Sequence, residues 1–252
     1  MKQAVFSRNV LAGALAVALS ACGGGSSNSK GDLPVAPVVP PITPPVVVVP
    51  PVTPPPAKPT QPATDAHLAI IKGKDQDWSG AGIRIGVVDS GVNRAHPTLA
   101  GRVVASHSYV DPAKNNLAVD DVVGHGTTVA SLAAGAAFGD WPGGVATGAE
   151  IVSARIIADK APADDGTGNG NQVNGALGLA GVHQDLIADG VKIMNNSWGG
   201  LYWTNPTATA AIAAEYRPFI AANNGLVVFA TGNESKADPS NMAALPSQAG
   251  PN

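Results

Sequence analysis

Between Pro34 and Pro62 this chain places thirteen of its 22 prolines. No packed core runs through such a stretch, because each proline fixes φ and removes a backbone donor that a helix or sheet would use. The rest of the segment is nearly all Val, Thr and Ala, with Lys58 as its only charged residue. Polyproline II is the expected form, and its 29 residues would reach about 90 Å at ~3.1 Å per residue. Without placed Arg or Lys it reads as a spacer rather than a ligand for a proline-recognition domain. The folding unit must therefore lie after about Ala66, where the composition turns to Gly, Ala and Val with scattered charge. Fewer than 200 residues remain there, which suits one α/β domain or part of one.

Ahead of the proline stretch, Met1 to Ala21 carries Lys2 and Arg8 and then the apolar run Val10 to Leu19, too short to span a bilayer but long enough for an export signal. It ends in Leu19-Ser20-Ala21-Cys22, which resembles the lipobox of bacterial lipoproteins, in which the cysteine is acylated and becomes the new first residue. Cys22 is the only cysteine of the chain, so an intramolecular disulfide framework is excluded. Several acyl chains together hold a protein at a membrane where one is marginal. Gly23 rather than Asp after the cysteine points, by the same resemblance, to the outer membrane. Residues 23–30 are Gly- and Ser-rich and read as a flexible start to the stalk. The organisation is thus a signal peptide over residues 1–21, an anchor and stalk over 22–65, and a domain over 66–252. A net charge of −3 with no basic patch argues against nucleic acid as a partner.

Within the domain, apolar β-branched runs alternate with helical stretches. Asp65 to Ile71 reads as a short helix, Ile83 to Val88 as a strand ending at Asp89, and Gly124 to Phe138 as a helix. Ala149 to Ile157 reads as a strand, Gln172 to Ala188 as a helix, Val191 to Asn196 as a strand, Pro206 to Ala222 as a helix and Leu226 to Ala230 as a strand. Near-continuous apolar strands separated by helices predict a mainly parallel sheet covered on both faces. In such sheets chemistry gathers at the carboxyl ends of the strands.

Three polar signatures fall at those ends. Ile85-Gly86-Val87-Val88-Asp89-Ser90-Gly91-Val92 puts a carboxylate at the end of a buried strand, which by itself also fits a cap or a cation ligand. Gly124-His125-Gly126-Thr127-Thr128-Val129-Ala130 puts a histidine between glycines at a helix start. That position opposes protonation of the ring unless a carboxylate compensates, although a capping or core histidine fits the same residues. Phe229-Ala230-Thr231-Gly232-Asn233 puts an amide on a turn after an apolar strand, where a neutral donor can bind a developing oxyanion or simply make a turn. No His-Glu-x-x-His or His/Cys cluster indicates a catalytic metal.

In that order, and with His96-Pro97 and Asn196-Ser197-Trp198-Gly199 between them, these segments resemble the subtilisin-like serine peptidases. The resemblance runs from about Trp78 to the end of the chain. It implies a three-layer α/β fold, incomplete at the carboxyl terminus, and peptide-bond hydrolysis through an Asp-His-Ser triad on protein or peptide substrates. Asp89 is similar to the family residue that orients the histidine, His125 to the general base and Asn233 to the oxyanion-hole donor. Ser197, Trp198 and Gly199 are similar to the segment that pairs with an extended substrate and borders its pocket. His96 is structural in the family motif, and His67, His107 and His183 read as surface or packing residues. Subtilases often bind structural calcium, but nothing in the spacing fixes a site; residues 164–170 read as a flexible loop near the cleft. With lipobox and stalk added, the chain looks most like lipoprotein-type autotransporter peptidases that mature other surface proteins.

The family nucleophile lies in a Gly-Thr-Ser segment at the start of a later helix, and no such segment occurs in the 252 residues. The expectation is an inactive amino-terminal fragment of a peptidase whose further sequence supplies the serine and a membrane barrel. The competing reading is a non-enzymatic surface lipoprotein that uses the same scaffold for binding or adhesion. For the anchor, mass spectrometry of membrane-extracted protein is expected to show an acylated Cys22 terminus; an unmodified thiol there would contradict the lipobox.

Overall fold

The computed structural model describes residues 65–73, 77–163, 165–233 and 235–248. The signal peptide, Cys22 and the proline-rich stalk lie outside them. A short helix α1 (Ala66–Ile70) is followed by β1 (Arg84–Asp89), β2 (Val103–Ser108), α2 (His125–Ala134), β3 (Glu150–Arg155), β4 (Asn171–Gln172) and α3 (Ala180–Ala188). Then come β5 (Ile193–Asn196), β6 (Leu201–Tyr202), α4 (Pro206–Arg217), a π-helical turn (Pro218–Ala222), β7 (Leu226–Phe229) and α5 (Asn241–Gln248).

Five strands form one parallel sheet in the order β2-β3-β1-β5-β7. The central strands explain why parallel pairing wins. In β1 and β3 every residue after the first is buried, so neither strand has a face that could be left to water. Alternate residues of β1 feed opposite cores. Ile85 and Val87 pack with Leu99, Ala130 and Ala134, the last two from α2. Val88 packs on the other face with Val182 and Leu186 of α3 and with Ile212 and Tyr216 of α4. Helices therefore cover both faces, giving the three layers expected. The outer strands β2 and β7 alternate half-buried and exposed residues instead, and Leu226 and Val228 of β7 point into solvent.

Several boundaries differ from the sequence reading. Strand β2 was not foreseen; it pairs with β3 across a register shift between Val103 and Ala105. Helix α2 stops at Ala134 instead of running to Phe138, because Gly135 turns extended at φ −64°, ψ 144°. Helix α3 begins at Ala180, not Gln172. Asn171 and Gln172 form β4 against β6, and the amides of Leu177 and Leu179 donate to the buried carboxylate of Glu215 at 2.7 and 2.8 Å, which ties the connecting segment to α4. Helix α4 has its foreseen start, with the Asn205 side chain accepting from Ala208 N and Pro206 in the first turn. It changes to a π-helical turn at Pro218, whose missing N–H interrupts the α-helical bonding. Helix α5 was also not foreseen.

His183 is a core residue. Its Nδ1 donates to the Glu215 carbonyl at 2.7 Å, and its ring lies 4.4 Å from that of Tyr216. Burial lowers the ring's pKa below its ordinary value. The unfolded chain therefore takes up a proton at about pH 6.5 that the folded ring resists, so this contribution to stability is complete above that pH and falls as the solution is acidified. Thermal melting between pH 7 and pH 5 is expected to show a fall in Tm that is smaller in His183→Gln; equal slopes in the two proteins would contradict it.

Candidate active site

Asp89 closes β1 and is fully buried. The chain leaves it through Gly91 at φ +110°, where a Cβ would stand 2.0 Å from the carbonyl oxygen of Asp120. Only glycine lets the strand exit pass so close beneath the segment that leads into α2. Gly126, in the first turn of α2, is the second such position: a Cβ there would lie 2.1 Å from the carbonyl oxygen of Gly91 and 3.1 Å from Asp89 Cβ. The glycines on either side of this interface thus bring helix and strand into backbone contact. Their consequence is that His125, the first residue of α2, places Nδ1 2.8 Å from Asp89 Oδ1.

The bond fixes the ring's tautomer. A carboxylate oxygen accepts, so Nδ1 carries the proton and Nε2 presents its lone pair. Asp89 Oδ1 also accepts from Ser90 N at 2.7 Å, while Oδ2 is buried with no partner among the described residues. The imidazole is about one-third exposed, so Asp89 is out of water while the ring that it holds can still meet a ligand. The hydrogen bond to Asp89 is the main cause of a raised pKa at His125; partial burial opposes it, and the charges of Asp89 and Asp121 add to it. The carboxylate compensation that a helix-start histidine requires is therefore present twice.

Strands β1, β5 and β7 are parallel, so their carboxyl ends share one side of the sheet. Ser197 follows β5, and its Oγ accepts from the Asn195 side chain at 2.8 Å. Asn233 follows β7 after Gly232 at φ +112° and is exposed. Trp198 is 3 % exposed and packs in the larger core cluster, and its buried Nε1 has no hydrogen-bond partner among the described residues. Gly199 runs into Gly200, whose carbonyl accepts from Asn171 N at 2.7 Å. Asp165 accepts from Thr167 N and Oγ1 and from Gln172 N, so hydrogen bonds tie the 165–170 segment to itself and to the start of β4. No group of three His, Cys, Asp or Glu suited to a metal ion occurs among the described residues.

Sequence reasoning missed three contributors. Asp121 and Ser90 bond to one another and to the first turn of α2. Arg155, at the end of β3 and level with Asp89, is 3 % exposed and donates to the carbonyls of Asn116 and Val119 at 3.2 and 2.7 Å while pairing with Asp159. It holds down the segment that leads to His125. A charged residue ending the mostly apolar strand Glu150–Arg155 was the signal available for it.

The subtilase family matches residues 80–251, and the chain belongs to that family. Over 130 residues it is 35% identical to fervidolysin of Fervidobacterium pennivorans, covering 50% of this chain and 18% of that protein. Over 171 residues it is 33% identical to thermitase of Thermoactinomyces vulgaris, covering 65% and 53%. The crystal structure of fervidolysin, described as a keratinolytic enzyme related to subtilisin, superposes with a TM-score of 0.43 at 28% identity over 64% of this chain and 23% of that one. The chain thus spans about half, or much less, of the length of these relatives.

The close approach of Gly126 to Gly91 makes a direct prediction. Gly126→Ala is expected to cost about 1–3 kcal/mol of stability by overpacking, measured by denaturant unfolding, and to abolish the low-field NMR signal of the His125 Nδ1 proton held by Asp89. A variant of unchanged stability that keeps the signal would contradict the contact.

Proposed function

We propose that the protein is a serine-type endopeptidase in which His125 is the general base and Asp89 the group that orients it and balances its charge. The observation that carries this reading is the 2.8 Å bond between a fully buried carboxylate and a partly exposed imidazole whose Nε2 is left to take a proton. His125 takes the proton of a serine hydroxyl as the serine attacks the peptide carbonyl, then returns it to the leaving amine. Asn233, exposed beyond β7, is the proposed donor to the oxyanion. The backbone of Ser197, Trp198 and Gly199 pairs with the substrate, a role that does not need the Trp198 ring.

The serine lies in further sequence of the whole protein, and the 252 residues alone cleave nothing. The family's Asp-His-Ser chain order supports this. The signal peptide and lipobox support export and attachment to the outer membrane through Cys22, with the proline stretch as spacer. Other surface proteins are the proposed substrates, and a carboxyl-terminal membrane barrel completes the proposal.

In the whole protein, His125→Ala is expected to lower turnover of a peptide substrate by about 10²- to 10⁴-fold. Asn233→Ala is expected to lower it by about 10²- to 10³-fold, a range that comes from subtilisin itself. Because the His125 pKa is raised, kcat/KM of the wild type is expected to fall on the acid side with a midpoint above the ordinary ~6.5 of histidine. Retained activity in His125→Ala would overturn the assignment, and so would labelling of the isolated 252-residue chain by a serine-directed phosphonate.

A further inference from the structure

Asp121 lies four residues before His125 in a stretch that the sequence reading passed over. It is 8 % exposed, and both of its carboxylate oxygens are engaged. Oδ1 accepts from Gly124 N at 2.8 Å and from Ser90 Oγ at 2.9 Å; Oδ2 accepts from Thr127 N at 2.9 Å and Thr127 Oγ1 at 2.6 Å. Two of these donors are backbone amides at the start of α2, which has no capping side chain at Gly124 itself. Asp121 thus does the work of a cap from outside the helix, where the amides and the dipole favour a negative charge.

The same carboxylate reaches across to β1. Ser90 gives its hydroxyl proton to Asp121 and accepts from Gly126 N at 3.0 Å, while Thr127 Oγ1, bound to Asp121, accepts from Asn93 N at 2.9 Å. Residues on both sides of His125 are therefore cross-linked to residues just after Asp89. The two halves of the Asp89–His125 pair come from segments 36 residues apart, and this frame sets the distance between them. The charged groups acting on the His125 ring are Asp89, from β1, and Asp121, from the segment before α2.

We propose that Asp121 is a positioning residue for His125: its buried carboxylate locks the first turn of α2 to the exit of β1 and adds a second negative charge near the ring. The proposal rests on the peptidase reading for its meaning in catalysis, but the frame itself does not require it. Asp121 touches no reacting atom and acts only through His125.

The test is the titration of His125 in the whole protein labelled with ¹³C-histidine, the signal being assigned by its loss in His125→Ala. Asp121→Asn is expected to move the titration midpoint downward. Asp120→Asn removes the same formal charge one residue away, from an exposed pair with Arg94, and is expected to leave the midpoint in place. A folded Asp121→Asn with an unmoved midpoint, or an equal shift in Asp120→Asn, would overturn the proposal. If Asp121→Asn does not fold, Ser90→Ala carries the test, since it cuts the link between Asp121 and Gly126 N and leaves both carboxylates. Its expected result is faster solvent exchange of the His125 Nδ1 proton, reversed in Ser90→Thr; an unchanged exchange rate overturns it. On a peptide substrate either variant is expected to lose turnover about tenfold or more at unchanged KM. A wild-type protein that cleaves nothing would defeat the peptidase reading while leaving the NMR result to decide the frame.

Discussion

Backbone contact between the first turn of α2 and the exit of β1 governs the rest of this structure. With Gly126 against the carbonyl of Gly91, and Gly91 against that of Asp120, there is no room for a side chain on either surface. This closeness carries a buried carboxylate at a strand end to a histidine at a helix start. Everything around it serves to keep the contact. Thr98 Oγ1 and Ser131 Oγ, 3.0 Å apart, join the segment after β1 to the middle of α2, and Ala130 and Ala134 seat the helix on Ile85, Val87 and Ile151. Small residues on that face of α2 let it lie flat on the sheet.

Burying charge on this side of the sheet is costly unless each group finds partners. Asp89, Asp121 and Arg155 are all buried, and each solves the problem differently. Asp121 is saturated by four donors. Arg155 spends its terminal nitrogens on two carbonyls and Asp159. Of these two buried carboxylates, Asp89 is the one that keeps an oxygen, Oδ2, without a partner among the described residues, as Arg155 keeps its Nε. A carboxylate whose neighbours do not neutralise it acts strongly on the one ionisable ring that it touches. At His125 the hydrogen bond to Asp89 favours the protonated ring more than its partial burial opposes it.

Much of the fold was legible in the sequence because the central strands are buried on both faces. Ile85 to Val88 and Ile151 to Ala154 are near-continuous apolar runs, interrupted only by Gly86 and the buried Ser153, and their alternation with helical stretches fits a covered parallel sheet. Strand β2 was not legible for the converse reason. Val103 to Ser108 has one half-buried face and ends in Ser-His-Ser, a pattern that resembles a loop until β3 is beside it. The start of α3 was misplaced because the apolar positions of Gln172 to Leu179 outweighed its two glycines in the reading, although Gly178 sits at φ +81° and the segment is held by β6 and Glu215, far along the chain. At the site, the motifs named Asp89 and His125, and the structure joins them. The roles of Asp121 and Ser90 lie in whom they bond to rather than in a recognisable local pattern, and Arg155 offered only a charge at the end of a mostly apolar strand. The burial of the Trp198 ring in the core was not legible either, because the Ser197-Trp198-Gly199 motif describes a backbone segment rather than where its side chain packs.

The outer strand β7 has a consequence for handling the chain. Its residues Leu226-Val227-Val228-Phe229 carry no charge, no proline and no bulge, and two of its apolar side chains face solvent. Natural sheets blunt such rims with lysine, proline or an inward-pointing charge, because an uncovered strand is a template on which another extended chain can be laid. Nothing in β7 repels that addition. Among the described residues, β7 is thus the sheet edge whose side chains least discourage the pairing of a further extended strand.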